Sequence, residues 1–290
     1  MDKARLTESL NIVVCPECHS NLEMAGSYIV CKKCSFKARI LSAVNGSLDL
    51  YLPTTLNKHR ENIEKHYEVI SSVGDWNTPA IINQEIVPGG FYYKDIVDRG
   101  TLEWGILYHN FTKRMIANEI NKFFIQNSGK QLSILEIGCG CGQMLVYLCP
   151  LLKKSGSDFK YFQTDVIEES LRGRQEYFKS IGFVEPENVF SYVCNGEKLP
   201  FSDDSIDIIL LMETLEHFEM PFLGLREFYR VLKPKGICCI TTPRPSSSYF
   251  RLRVELLGKF FPYKGFAKHL MPDYAICDEN FYRMIVNAGL

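Results

Sequence analysis

The chain has 290 residues, 46% of them apolar, and a formal net charge of -1. That length suffices for one full α/β core plus a smaller module, and the near-zero charge lacks the basic excess that polyanion binding usually brings, so nucleic acid is not favoured as a partner. No window approaches the roughly 18 apolar residues of a membrane span, and the first residues, Met1-Asp-Lys-Ala-Arg-Leu-Thr-Glu, carry no long apolar stretch; the expectation is a soluble, cytoplasmic protein.

Eleven cysteines are unevenly spread, and four of them form the pairs Cys15-Pro-Glu-Cys18 and Cys31-Lys-Lys-Cys34, with twelve residues between the pairs. Each pair suits a tight turn, and the intervening hairpin brings the turns together around one ion. Four thiolates complete a tetrahedral zinc shell with no position open to water or substrate, so the metal at Cys15, Cys18, Cys31 and Cys34 is expected to be structural. In so small a module zinc would supply most of the folding free energy. His19 is read as a surface residue beside the second ligand.

The segment from Leu10 to Leu52, with its Val44-Asn-Gly46 turn and following apolar strand, resembles the zinc-ribbon family of small methyltransferase activator proteins. Members of that family bind methyltransferases. The resemblance implies a docking or stabilising role for residues 1–53, fused here in one chain.

Residues 54–130 carry helical stretches at 57–67 and 112–124, separated by a Gly/Pro segment around Pro88-Gly-Gly90. Ile116, Ile120, Phe123 and Phe124 recur at helical spacing and are expected to face the core. Trp76, Phe91, Tyr92, Tyr93, Trp104 and Tyr108 make the intervening piece unusually aromatic, which suggests a lid over a small-molecule pocket.

From residue 131 onward, short apolar strands alternate with amphipathic helices, the pattern of a Rossmann-like, mainly parallel sheet with helices on both faces. Strands are expected at Ser133–Ile137, Tyr161–Thr164, Val189–Val193, Ile206–Met212 and Ile237–Thr241. Helices are expected at about 142–152, 168–180, 221–231 and 279–288. The first strand runs into Glu136-Ile-Gly-Cys-Gly-Cys-Gly-Gln143, where glycines at 138, 140 and 142 let the backbone turn sharply and approach a ligand. Ligands of such sheets bind at the carboxyl ends of the strands, where this turn falls. Asp165 ends the second strand, placed to accept both hydroxyls of a ribose. Asn195-Gly196 follows the third, where an amide side chain can exchange hydrogen bonds with an adenine edge. The fourth strand ends at Glu213-Thr-Leu-Glu-His217.

Residues 134–290 resemble class I S-adenosylmethionine-dependent methyltransferases, especially those acting on quinones, sterols, natural products and sugars. The matching stretches are Leu135-Glu-Ile-Gly-Cys-Gly-Cys-Gly142, Asp165, Gly196-Glu-Lys-Leu-Pro-Phe201, Glu213-Thr-Leu-Glu-His217 and Arg230-Val-Leu-Lys-Pro-Lys-Gly236. By that likeness Glu136, Gly138 and Gly140 surround the methionine portion of S-adenosyl-L-methionine, Asp165 meets the ribose, and Asn195 and Gly196 meet the adenine. Cys139, Gly142, Val166 and Met212 flank them as further cofactor-binding positions. The family usually carries aspartate where this chain has Asn195. A nicotinamide dehydrogenase is the competing enzyme on the same architecture, but its Gly-x-Gly-x-x-Gly spacing fails at Gln143.

Methyl transfer from a sulfonium is an in-line displacement, so the protein chiefly aligns a small-molecule acceptor. His217 is the first candidate for a base, with His269 a second. Two other functions compete: methylation of RNA, because a family of ribosomal-RNA guanine methyltransferases also carries a four-cysteine module ahead of this fold, and a non-catalytic interaction protein that keeps the fold. Chains of the resembled family continue past a helix like 278–288 into an antiparallel hairpin, which is expected to be missing here. The fifth strand, Ile237–Thr242, is therefore expected at a sheet edge covered by the lid, the ribbon or a partner subunit. Tyr249, Phe250, Phe260, Phe261 and Tyr263, with Arg251, Arg253 and Lys259, are candidate acceptor contacts.

Overall fold

The computed structural model describes residues 7–8, 10–41, 47–52, 80–82, 85–87, 102–140, 142–156, 158–242 and 278–290. The strands are β1 (Leu22–Ala25), β2 (Tyr28–Cys31), β3 (Lys37–Leu41), β4 (Ser47–Asp49), β5 (Ala80–Ile82), β6 (Glu85–Val87), β7 (Leu132–Ile137), β8 (Phe159–Asp165), β9 (Val189–Val193), β10 (Ile206–Met212) and β11 (Leu232–Thr241). The helices are α1 (Leu102–Gln126), α2 (Gln143–Lys154), α3 (Glu168–Ser180), α4 (Pro221–Val231) and α5 (Asp278–Ala288).

Nine strands form one sheet in the order β1-β2-β3-β4-β9-β8-β7-β10-β11. The five strands from β9 to β11 are mutually parallel, as expected of apolar runs buried on both faces. The chain order reverses between β7 and β10, so the glycine turn after β7 lies at the switch point. Side-chain alternation splits the interior into two cores. Ile134, Tyr161 and Leu210 pack with Ile116, Ile120 and Phe124 of α1, with Leu145 and Leu148 of α2 and with Tyr177 and Phe178 of α3. Leu135, Phe162, Phe190 and Leu211 face the other way, against Leu225 and Phe228 of α4 and Ala288 of α5.

The first four strands do not form a separate sheet. β4 pairs in parallel with β9, Leu48 opposite Tyr192 and Asp49 opposite Val193, and the Leu50 amide donates to the Val193 carbonyl at 2.8 Å. A second strip joins the Val14 amide to the Pro200 carbonyl at 3.0 Å and the Ser202 amide to the Ile12 carbonyl at 2.9 Å. Val13, Cys15, Ile29, Leu48 and Leu50 share the core of Phe190, Tyr192, Leu199 and Phe201. Each fully buried leucine or isoleucine in that contact stabilises the union by roughly 2 kcal/mol.

Three expectations need revision. The N-terminal strands take the β9 edge, leaving β11 as the terminal strand on the far side, so the ribbon is not the cover of β11. Its stretch Ile237–Thr241 runs in register with Ile208–Met212; Leu232–Gly236 is an irregular lead-in before a register shift, where Pro234 cannot donate to a ladder and Lys235 has a φ of 69°. The helix expected at 112–124 begins at Leu102, so Trp104 and Tyr108 lie within α1. A short antiparallel pair, β5 with β6, occupies part of the intervening segment. The helical stretch at 57–67 and Trp76, Phe91, Tyr92 and Tyr93 lie outside the described residues. Among the described residues, no helix is long and apolar enough to cross a membrane.

Candidate functional site

The glycine turn begins where β7 ends. Gly138, Gly140 and Gly142 have φ of 69°, 49° and 73°, the left-handed region that an L side chain rarely adopts. Their surroundings differ. A Cβ at Gly138 would lie 2.3 Å from Thr214 Cγ2, and one at Gly142 would lie 2.8 Å from Arg174 Cγ, whereas one at Gly140 meets nothing within 4 Å. Gly138 and Gly142 are therefore required by packing, and Gly140 leaves an open cradle. The turn is tied down by the Cys139 amide, which donates to the Thr164 carbonyl at 2.9 Å, and the Gly142 amide, which donates to the Cys139 carbonyl at 2.8 Å. Gly142 caps α2 without a side chain, so the first-turn amides of that helix are not capped by their own N-cap residue.

Asp165 is brought to this turn. Its Oδ2 accepts the Gly140 amide at 3.0 Å and its Oδ1 accepts the Ile167 amide at 3.2 Å. Burial raises the pKa of this carboxyl, and the two amides and the neighbouring Ser170 hydroxyl oppose the rise. Asn195 is buried after β9, and its Oδ1 accepts the Glu197 amide at 2.9 Å, closing an Asx turn. Gly196 has no room for a side chain, since a Cβ there would lie 2.4 Å from Phe218 Cζ. Val166 is half-buried beside Cys139, and Met212 is half-buried at the end of β10.

Glu136 lies on β7, two residues before Gly138. It is buried, and its Oε2 accepts both the Gln163 Nε2 donor at 2.8 Å and the Tyr161 hydroxyl at 3.1 Å. Burial pushes its pKa up to about 7.

After β10 the chain enters a short 3-10 turn, Leu215–His217. Glu213 has a φ of 49° and is held by its amide, which donates to the Thr241 carbonyl at 3.0 Å. His217 Nε2 lies 3.9 Å from Glu216 Oε1, and Glu216 Oε2 accepts the Thr242 hydroxyl at 3.1 Å. Burial pushes Glu216 up to about 7. His269 and the candidate acceptor contacts at 249–263 lie outside the described residues.

Several structural residues of the site were not anticipated. Arg230 and Glu227 form a two-pronged pair, Nε to Oε1 at 2.9 Å and Nη2 to Oε2 at 2.7 Å, that also grips the carbonyls of Leu199 and Phe201 and the Leu199 amide. That clamp fixes the loop carrying Asn195 to Phe201. Leu41 at the end of β3 and Tyr51 just after β4 pack with Cys139, Leu171 and Val193 beside the turn. Arg174 is fully buried on α3. Its place in the apolar stripe Leu171, Arg174, Phe178 was a readable signal of a cation with buried partners.

The four cysteines of the N-terminal module converge. Sγ separations are 3.6 Å for Cys15 and Cys34, 3.5 Å for Cys18 and Cys31 and 3.7 Å for Cys18 and Cys34, and all four atoms lie within 4.8 Å of one another. A tetrahedron with zinc–sulfur bonds of about 2.3 Å has edges of about 3.8 Å, so the donor set fits zinc. The Lys33 and Cys34 amides donate to Cys31 Sγ at 3.3 and 3.4 Å.

Comparisons with known proteins bear on the parallel core. Residues 135–240 match a family model described as a methyltransferase domain. The ubiquinone/menaquinone biosynthesis C-methyltransferase UbiE of Rickettsia prowazekii is 31% identical over 147 residues, which are 50% of this chain and 56% of that protein. The demethylmenaquinone methyltransferase of Listeria welshimeri is 28% identical over 141 residues, 46% of this chain and 57% of that protein. The chain thus spans a little over half the length of the curated relatives it matches. Among solved structures, the YcgJ protein of Bacillus subtilis aligns over 59% of this chain and 68% of its own, with 20% identity and a TM-score of 0.41. The glycine turn and the neighbouring strand ends fall within the residues that match the methyltransferase-domain model.

Proposed function

We propose that the whole chain is an S-adenosylmethionine-dependent methyltransferase that transfers a methyl group in line to a small-molecule acceptor, with a cis-docked zinc module. The observation that carries this reading is the juxtaposition at the switch point of an open glycine cradle at Gly140 with Asp165, whose carboxylate already gathers the Gly140 amide. Glu136, Gly138, Cys139, Gly140 and Gly142 would hold the methionine side of the cofactor. Asp165 and Val166 would meet the ribose, and Asn195 and Gly196 the adenine. Met212 would close the wall at the end of β10. When bound, the cofactor supplies an electrophilic methyl on sulfur, and the protein supplies alignment and exclusion of water. The relatives named as quinone methyltransferases support a small, ring-bearing acceptor.

The N-terminal 53 residues form the zinc module of this proposal, and 131–290 the catalytic unit. The module's resemblance to activator proteins is supported by its seat on the β9 edge, where it packs against the loop that carries Asn195 to Phe201. Its free thiols suit a reducing compartment, which favours the cytoplasm. His217 is the described candidate for a base, because Glu216 beside it would stabilise the imidazolium formed by proton uptake.

Calorimetric titration with S-adenosylmethionine and with NADH tests the cofactor. Binding of the nicotinamide alone overturns the proposal. Transfer of a labelled methyl group to a panel of hydroquinones, phenols and RNA then sorts acceptors, and label appearing only in RNA refutes the small-molecule reading. A His217→Ala protein with full turnover and unchanged cofactor affinity removes His217 as a base.

A further inference from the structure

A buried polar relay runs beneath the glycine turn on the face of α1 to α3. Arg174 Nη1 donates to Gln163 Oε1 and, at 2.5 Å, to Glu185 Oε1. Gln163 Nε2 donates in turn to Glu136 Oε2 at 2.8 Å, and Tyr161 donates to the same oxygen at 3.1 Å. Gln163 and Glu136 are register partners on β8 and β7. Because a guanidinium only donates, Gln163 must turn its oxygen to Arg174 and its amide nitrogen to Glu136; the arginine thereby fixes which way the amide points. The same side chain reaches the turn by packing. Its Cγ and Cδ lie 2.8 and 2.9 Å from where a Gly142 Cβ would be, and its guanidinium stands 5.3 Å from the Phe178 ring centre. A fully buried cation is costly unless its partners are fixed, and here they end on the acidic residue two positions before Gly138.

We propose that Arg174 is a positioning residue of the methyl-donor site: through Gln163 it holds Glu136 Oε2 against β8, and with its stem it fixes the Gly142 end of the turn, so that Glu136 offers its other oxygen as a carboxylate to the ammonium group of the donor. This rests on the cofactor reading given above. The ionised state of Glu136 is opposed by burial and by Asp165 and favoured by Gln163, Tyr161 and Arg174. Cys139 of the turn acts on Tyr161, Glu185 faces Arg174 from beyond, and on the β10 side the register partner Leu210 brings no charge. Donor affinity should therefore fall as pH drops through the titration of Glu136, near 7. Removing the cation moves that midpoint to higher pH.

The test is calorimetric titration of the full chain with S-adenosylhomocysteine, which keeps the ammonium, between pH 6 and 9, for the wild type, R174M, R174K, Q163M and E136Q, with melting temperatures measured alongside. R174M and Q163M should bind about tenfold or more weakly at pH 7 and shift the midpoint upward, as expected for loss of a charge-assisted link. R174K, which keeps the charge, should hold the midpoint, and E136Q should lose the step near neutrality. Q163M leaves the Arg174 stem and its Glu185 pair intact, so it reports on the relay should R174M fail to fold. A folded R174M or Q163M with affinity within about twofold of wild type and an unmoved midpoint overturns the proposal. Failure of the wild type to bind S-adenosylhomocysteine at any pH overturns instead the cofactor reading on which it stands.

Discussion

Replacing Gly138 by alanine should separate two costs that the structure makes distinct. The first is conformational: at a φ of 69° an L residue is held in the left-handed region, at about 1–2 kcal/mol. The second is steric, because the new methyl would sit 2.3 Å from Thr214 Cγ2 and 2.5 Å from Thr214 Oγ1. Thr214 does not swing aside freely, since its hydroxyl donates to the Met212 carbonyl at 2.9 Å, and an overpacked contact of this kind costs about 1–3 kcal/mol. G138A should therefore lose about 2–5 kcal/mol of stability, read as a lowered urea midpoint at constant slope. The G138A/T214G pair should recover the steric part, about 1–3 kcal/mol of coupling in a double-mutant cycle, and leave the conformational part. A G138A protein within about 0.5 kcal/mol of wild type, or strict additivity in the cycle, would refute the reasoning.

The contrasting variant is G140A: with nothing within 4 Å of its Cβ, it should cost only about 1 kcal/mol in stability yet weaken S-adenosylmethionine binding by an order of magnitude or more, and unchanged affinity would show that the cradle is not the cofactor's. Glu136 has its folded pKa raised from 4.5 to about 7, so it binds more protons folded than unfolded between those values; its contribution is fully present below about 4.5 and is lost as pH rises through 7. E136Q should therefore stabilise the protein at pH 8, on the order of 2–3 kcal/mol, and leave it nearly unchanged at pH 4.5; equal effects at both values would contradict this linkage. Elemental analysis should find one zinc per chain, and its removal by a chelator, or C31S, should lower the melting temperature by more than about 5 °C, because the module shares a core with β9 and α4. A chelated protein that melts unchanged would remove the metal from the structural account.

Local pattern was enough for most of the parallel core. The alternation of apolar strands and amphipathic helices placed β9, β10, α3 and α4 at their observed limits, because strands buried on both faces are continuous apolar runs and helices covering them carry one apolar stripe. The three alternate glycines announced a turn in the left-handed backbone region, and the cysteine spacing announced a four-sulfur cluster, because both are constraints between residues close in sequence. Partners far apart in sequence were not readable. Nothing in Ser47–Leu50 says that it will lie beside Val193 and not beside Ile237, since an edge strand is defined by backbone groups that every sequence carries alike. Likewise Gln163, read alone, is a polar interruption of a strand, and Arg174 a charge in a helix. Only the packing of α3 across β8 turns them into one buried chain ending at Glu136, because a buried cation and a buried carboxylate are tolerated only when tertiary structure brings each its donors and acceptors.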